Sequence, residues 1–259
     1  FPFADVLVKI SGMVVKEKEE KEPVVEDAET AATLKHLDER IFESPAFAVE
    51  TAALEVVHMG QITYENVTRA IDAVLTVNSD EVETVFKTEQ TINNMEKMLT
   101  EYLIKVDNLS LTEKQKKVVN NLFYSVSDIE RIGDHAENVA DAARQRKEEG
   151  VSISKEAQKE LGDMLEMVNK IIRYAVEMFA KSDESHMQEI VTLEDQVDEK
   201  ERELQKKHVE RLTKGECSPE AGMIFSDIVS GLERVADHAT NIAFAITTEE
   251  DAEDGDIKR

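Results

Sequence analysis

The chain repeats one unusual motif, and this repetition constrains its fold more than any other feature. Residues 127–141 read SDIERIGDHAENVAD, and residues 230–244 read SGLERVADHATNIAF, a step of 103 residues. A second pair of related segments, TEQTINNMEKML at 88–99 and LEDQVDEKEREL at 193–204, is separated by 105 residues. Two independent motifs at nearly the same offset indicate that a single structural unit has been duplicated.

The distribution of proline favours long helices. No proline occurs between Pro45 and Pro219, so helices can run through this interval without interruption. Each of these two prolines follows a serine, and Ser-Pro is typical of a helix start. Apolar residues recur at helical spacing, and no segment shows sustained period-two alternation. The sequence predicts six helices, at about 45–77, 80–106, 110–150, 154–182, 183–213 and 219–247.

The third predicted helix has signals at both ends, which completes the first copy of the repeat. Ser110 and Glu113 have the spacing of a capping box, and Gly150 supplies a C-terminal stop. The predicted fold is therefore all-α, with two tandem antiparallel three-helix bundles related by internal duplication. The predicted parts are an N-terminal segment with an acidic linker (1–43), the first repeat (44–150), the second repeat (151–247) and an acidic tail (248–259).

The charge excludes several classes of partner. The chain has 31 basic and 56 acidic side chains, which gives a formal net charge of −25. Nucleic acid and anionic lipid surfaces would both be repelled, whereas cations would be attracted. The single cysteine, Cys217, suits a reducing compartment, and no uncharged apolar run approaches the ~18 residues of a membrane span.

Four predicted helices carry an acid that is followed four residues later by a second oxygen ligand, beside the apolar stripe. The pairs are Glu89 and Asn93, Glu130 and Asp134, Glu194 and Asp198, and Glu233 and Asp237. Residues four apart share a helix face, and an uncompensated carboxylate next to a core costs several kcal/mol. Two antiparallel helices that bring such oxygens together would form a site for one or more hard or borderline cations. The alternative is that Arg131 and Arg234 pair with these acids, or that the acids are simply exposed.

Several neighbours of these pairs qualify the prediction. Asn93 could ligate only through its neutral carbonyl oxygen, so the first-repeat site should be weaker or differently charged. His135 and His238 directly follow the aspartates and are rotated by about 100° from them, which favours hydrogen-bonding or packing roles. Asn138 and Asn241 lie four residues beyond the aspartates and could orient ligands or join a helix contact.

The sequence offers little support for catalysis. Glu55 and His58 have the E-x-x-H spacing of di-iron bundles, but that architecture needs the motif twice and it occurs once. There is no Gly-rich phosphate loop and no G-x-S-x-G motif, and Cys217 has no evident base beside it. We therefore expect no catalytic residues and no enzyme activity; a carboxylate-bridged di-metal enzyme is the least favoured alternative.

The ERIGDHAEN and ERVADHATN motifs, together with LEDQVD and TEQTIN, resemble the PhoU family over about residues 45–247. The resemblance implies two three-helix bundles, regulation of phosphate uptake, and multinuclear clusters of iron or zinc, with Mg²⁺ left open. The family's metal-binding motif carries over to Glu89, Glu130, Asp134, Glu194, Asp198, Glu233 and Asp237, and Asn93 stands where an acid is usual.

The start of the chain adds a second resemblance. Residues 34–60, preceded by FPFADVLVKI and an acidic linker, look like the junction in Na⁺/phosphate cotransporter-family proteins, where a transmembrane domain precedes a PhoU-like domain. This implies the regulatory domain of a sodium-dependent phosphate transporter, at the cytoplasmic face of the plasma membrane. Its partner would be a transmembrane transporter domain, expected in the same polypeptide, and a homodimer is left open. The alternative is a stand-alone PhoU-type regulator that acts on a phosphate importer or its sensor kinase.

Overall fold

The computed structural model describes residues 39–181 and 183–246, and this part of the chain is helical. The predictions for residues 1–38 and for the acidic tail lie outside the described residues. A short 3₁₀ helix, Glu39–Glu43, leads into six α helices. They are α1 (Pro45–Thr76), α2 (Ser79–Asp107), α3 (Glu113–Glu148), α4 (Lys155–Lys181), α5 (Met187–Thr213) and α6 (Pro219–Phe244). The six predicted helices are confirmed, with ends that differ by a few residues.

Local capping explains several of these ends. The Oγ of Ser218 accepts a hydrogen bond from the backbone N–H of Ala221, so the predicted serine cap of α6 is present. Gly150, at φ 63°, lies in the left-handed region just past α3, as expected for a glycine stop. The predicted Ser110–Glu113 capping box is wrong, because the N-cap is Thr112 and its capping box is completed by Gln115.

The helices pack as two three-helix bundles, which confirms the predicted fold class. Helices α1, α2 and α3 contact one another, as do α4, α5 and α6. The bundles join along α3 and α6, with a smaller contact between α1 and α4. Buried residues of both bundles belong to one continuous core. Among the described helices, none combines the length and the apolar character needed to cross a membrane.

The central pair, α3 and α6, brings the two copies of the repeated motif side by side. The rings of His135 and His238 stack with centroids 5.7 Å apart, and His238 Nδ1 lies 2.9 Å from the Asp128 carboxylate. These contacts are the packing and hydrogen-bonding roles predicted for the two histidines. Asp134 and Asp237, which directly precede these histidines, point away from the α3–α6 seam and toward the hairpin partners α2 and α5.

Candidate metal centres

Three carboxylates converge in the first bundle. Glu89 on α2 and Asp134 and Glu137 on α3 each place a carboxylate oxygen within 4.8 Å of the other two. The two α3 residues are three apart and therefore share a helix face, and the antiparallel hairpin sets that face opposite Glu89. Three acidic oxygens at this separation repel one another unless a proton or a cation intervenes.

Glu89 is the residue of this group that most needs a ligand. Its side chain is buried, with 4% of the residue exposed. Its Oε2 accepts a hydrogen bond of 3.0 Å from the Asn93 amide, but its Oε1 is buried and has no hydrogen-bond partner within residues 39–181 and 183–246. Burial first, and then the charges of Glu137 and Asp134, raise the pKa of Glu89 to about 7. A bound cation would satisfy the orphaned oxygen and neutralise the repulsion.

The second bundle contains a corresponding group. Glu194 and Asp198 on α5 and Asp237 on α6 place carboxylate oxygens within 4.8 Å of one another. Burial first, and then Asp198, raise the pKa of Asp237, while burial and then Asp198 and Asp237 raise that of Glu194. Glu233 lies nearby, and burial followed by the charges of Asp237 and Asp198 raises its pKa to about 6. Mutual repulsion among buried or half-buried acids is therefore common to both groups.

The sequence-predicted ligands fall into two sets. The structure brings together Glu89, Asp134, Glu194, Asp198 and Asp237 within the two groups. Glu130 and Glu233 lie outside the groups, one helical turn before the aspartates, but remain in their electrostatic field. Asn93 bonds to Glu89 through its amide nitrogen rather than offering its oxygen to the group.

Sequence reasoning missed Glu137. It lies three residues beyond Asp134, on the same helix face, and this spacing was the available signal. Its counterpart in the second repeat is Thr240, 103 residues later, so a search for residues shared by both repeats passes over it. Glu137 supplies the first group with the carboxylate that Asn93 lacks.

The predicted supporting residues lie at the edge of the groups. Arg131 and Arg234 are exposed, and their charges lower the pKa values of Glu130 and Glu233 only as lesser effects beneath the larger upward influences. Asn138 and Asn241 are exposed, so a role in orienting ligands stays a prediction.

The isolated E-x-x-H motif does not form a comparable group. On α1, Nδ1 of His58 lies 3.6 Å from Oε2 of Glu55. Within residues 39–181 and 183–246, neither belongs to a set of three close candidate ligands.

The carboxylate groups fit a metal ion on chemical grounds. All their ligand atoms are carboxylate oxygens, which suit hard cations such as Mg²⁺ and Mn²⁺ as well as iron, and which zinc also accepts. Each group combines acids from two facing helices, so a bound ion would also tie the two helices together. The buried, unpartnered Oε1 of Glu89 is the observation that distinguishes the first group from an ordinary exposed acidic cluster.

Comparison with known proteins decides the family. The PhoU domain matches this sequence twice, at residues 56–143 and 161–246. The chain belongs to the PhoU family. The two matches coincide with the two bundles, so the internal duplication read from the sequence is the duplication of the PhoU domain itself.

Curated PhoU relatives match a large part of the chain. The chain is 28% identical over 180 residues to the phosphate-specific transport system accessory protein PhoU homolog 1 of Thermotoga maritima, covering 69% of this chain and 76% of the relative. It is 28% identical over 203 residues to the PhoU homolog of Pseudomonas aeruginosa, covering 75% of this chain and 80% of that protein.

Solved PhoU structures share the fold. The crystal structure of PhoU from Pseudomonas aeruginosa superposes with a TM-score of 0.75 at 24% identity, covering 78% of this chain and 97% of that one. The phosphate transport system regulatory protein PhoU from Streptococcus pneumoniae gives a TM-score of 0.73 at 22% identity, covering 83% and 100%. At these identities the likeness establishes the two-bundle fold.

Proposed function

We propose that this chain is a metal-binding regulator of phosphate transport. Its membership of the PhoU family supports the regulatory part, because similar proteins are named as accessory or regulatory proteins of phosphate transport systems. The proposed partner is a membrane phosphate transport system or the sensor kinase that controls it. The acidic surface suits contact with a basic protein face rather than with nucleic acid or anionic lipid.

The comparisons favour a stand-alone type of regulator over a cotransporter domain. The relatives from Thermotoga maritima and Pseudomonas aeruginosa are named as accessory proteins of phosphate-specific transport systems, and neither name describes a Na⁺/phosphate cotransporter. The cotransporter expectation rests on the resemblance of residues 34–60, together with the opening FPFADVLVKI and the acidic linker, and residues 1–38 lie outside the described residues. Reading the codons upstream of Phe1 tests it: a series of membrane spans there would restore the cotransporter assignment.

The metal-binding part of the proposal rests on one observation above all. The buried Oε1 of Glu89 has no hydrogen-bond partner in the part of the chain that the structure describes, and Glu89 belongs to a group whose acidic oxygens lie within 4.8 Å of one another. Glu89, Asp134 and Glu137 would hold one centre, and Glu194, Asp198 and Asp237 the other. Iron and zinc are the metals that the family resemblance implies, and Mg²⁺ fits the same oxygen donors. A bound ion would supply positive charge that offsets the repulsion and fixes the spacing of the two helices in each hairpin.

Elemental analysis of the purified chain tests the metal sites. The double variant D198N/D237N removes two carboxylates from the second group without changing side-chain size, and we expect it to lose the metal of that group only. The control is D195N/E199Q, which removes the same number of charges at two exposed positions of α5. Metal content that is equal in wild type, test variant and control would overturn the second centre.

A further inference from the structure

The two candidate centres place their third carboxylate on opposite helices. At the 105-residue offset that relates α2 to α5, Asn93 corresponds to Asp198. At the 103-residue offset that relates α3 to α6, Glu137 corresponds to Thr240. The first repeat therefore lacks one acid on its leading helix and has an additional one on its following helix. Each group nevertheless contains three carboxylates.

The geometry gives Glu137 and Asn93 different tasks. Glu137 places a carboxylate oxygen within 4.8 Å of ligand atoms of both Glu89 and Asp134. The Asn93 amide donates a hydrogen bond of 3.0 Å to Glu89 Oε2. Since an ionised carboxylate can only accept, Asn93 must turn its N–H₂ group toward Glu89, and this bond holds Glu89 in orientation.

A second observation points to a ligand at this place. Glu89 is 4% exposed, and the oxygen that Asn93 leaves unbonded, Oε1, is buried without a partner among the described residues. The electrostatic effects agree, because after burial Glu137 is the strongest of the charges that raise the pKa of Glu89. A carboxylate that served only to solvate the surface would gain nothing from lying so close to a buried acid, because the two charges repel each other.

We propose that Glu137 is a metal ligand of the first centre, where it takes the part that Asp198 takes in the second. Asn93 is a positioning residue that orients Glu89. This inference rests on the proposed metal-binding function. It assigns one ligand from α2 and two from α3 in the first centre, against two from α5 and one from α6 in the second.

The test isolates the first centre by working in the D198N/D237N background. Calorimetric titration of the chelator-treated protein with Mn²⁺ gives the affinity of the remaining centre. We expect E137Q to weaken Mn²⁺ binding by about 10–100-fold, since even outer-shell partners of metal ligands contribute this much. The control E148Q makes the same chemical change at an exposed acid near the end of α3 and should bind Mn²⁺ like the parent.

A rescue variant separates ligation from a structural role. N93D/E137Q moves the carboxylate back to the position that Asp198 has in the second repeat, and we expect it to recover most of the lost affinity. Unchanged binding in E137Q would overturn the inference, as would a loss that N93D does not restore. A parent that binds no Mn²⁺ at all would instead overturn the proposed first centre, and the inference with it. Circular dichroism confirms that each variant retains its helices.

Discussion

The two repeats share one architecture, but they divide charge between their helices in opposite ways. The first hairpin pairs Asn93 on α2 with Glu137 on α3, and the second pairs Asp198 on α5 with Thr240 on α6. The total of three close carboxylates is the same in both groups. The number of close carboxylates is therefore the same in each hairpin, although their distribution between its two helices differs.

Side-chain volume in the core is also distributed differently between the two helices of each hairpin. Ile92 faces Gly133 in the first hairpin, and a Cβ on Gly133 would lie 3.3 Å from Ile92 Cγ2. The equivalent positions in the second hairpin hold Val197 and Ala236, both buried. A larger residue on one helix thus accompanies a smaller one on the other, as close packing of a core requires.

A third pair follows this rule at the far end of the hairpins. Leu103 and Val119 are buried in the first repeat, and their counterparts are His208 and Gly222. A Cβ on Gly222 would lie 2.2 Å from His208 Cε1, so only glycine leaves room for the histidine ring. Residues opposite each other across a hairpin therefore change together between the repeats.

The largest effect on stability is expected at Gly222. The substitution Gly222→Ala places a methyl group against a buried ring, and overpacking of this kind costs about 1–3 kcal/mol. Urea denaturation should show the loss. Gly162→Ala is the matched control, because no described residue beyond the adjacent backbone of α4 lies within 4 Å of its added Cβ, and the change should stabilise α4 by about 0.5–1 kcal/mol. Equal effects at the two glycines would contradict the packing argument.

A smaller effect is expected from the buried acid. Because the pKa of Glu89 is raised to about 7, the folded chain binds more protons than the unfolded chain between the ordinary glutamate pKa and pH 7. The stability that this proton contributes is complete at low pH and is lost as pH rises through about 7. For the metal-free chain, Glu89→Gln should therefore stabilise by about 1–2 kcal/mol at pH 8 and by less at pH 5.5.

The comparison variant for this prediction is Glu194→Gln in the second repeat. Glu194 is only half-buried, and its pKa is raised chiefly by burial and then by Asp198. We expect the same direction of effect with a smaller size, measured by denaturation at both pH values. A Glu89 variant that is less stable than wild type at pH 8 would show that Glu89 is not an uncompensated buried charge.

The smallest effect is a coupling between two core positions. Ile92→Val alone should cost about 0.5–1.5 kcal/mol, because it leaves space beside Gly133. Adding Gly133→Ala copies the second repeat and fills that space. The double variant should therefore be more stable, by about 0.5–1 kcal/mol, than the sum of the two single-variant changes in unfolding free energy predicts. The reverse pair, Val197→Ile with Ala236→Gly, tests the same coupling in the second hairpin. If the single-variant effects add without coupling in both hairpins, the two positions in each pair do not compensate for each other's side-chain size.

The fold was predictable because its signals are repeated and local. The duplicated motif, the interval without proline and the cap at Ser218 were sufficient to predict six helices in two bundles. The start of α3 was not, because Ser110–Glu113 and Thr112–Gln115 both satisfy the capping pattern. Only the folded loop selects Thr112.

The candidate site was predictable as far as the repeat is symmetric. Asp134 and Asp237 occupy the same position in the two copies of the motif, and the structure places each of them in a carboxylate group. Glu137 has no acidic counterpart, so the repeat could not reveal it. The sequence also could not show that Asn93 donates a hydrogen bond to Glu89 rather than offering its oxygen to the group, since that depends on how the folded side chains approach one another.

Anomalous X-ray diffraction from crystals grown with Mn²⁺ tests most directly that each hairpin holds a metal centre with three carboxylates. The account predicts anomalous peaks at two places. One lies among Glu89, Asp134 and Glu137, and the other among Glu194, Asp198 and Asp237. The absence of a peak at either place would contradict this claim.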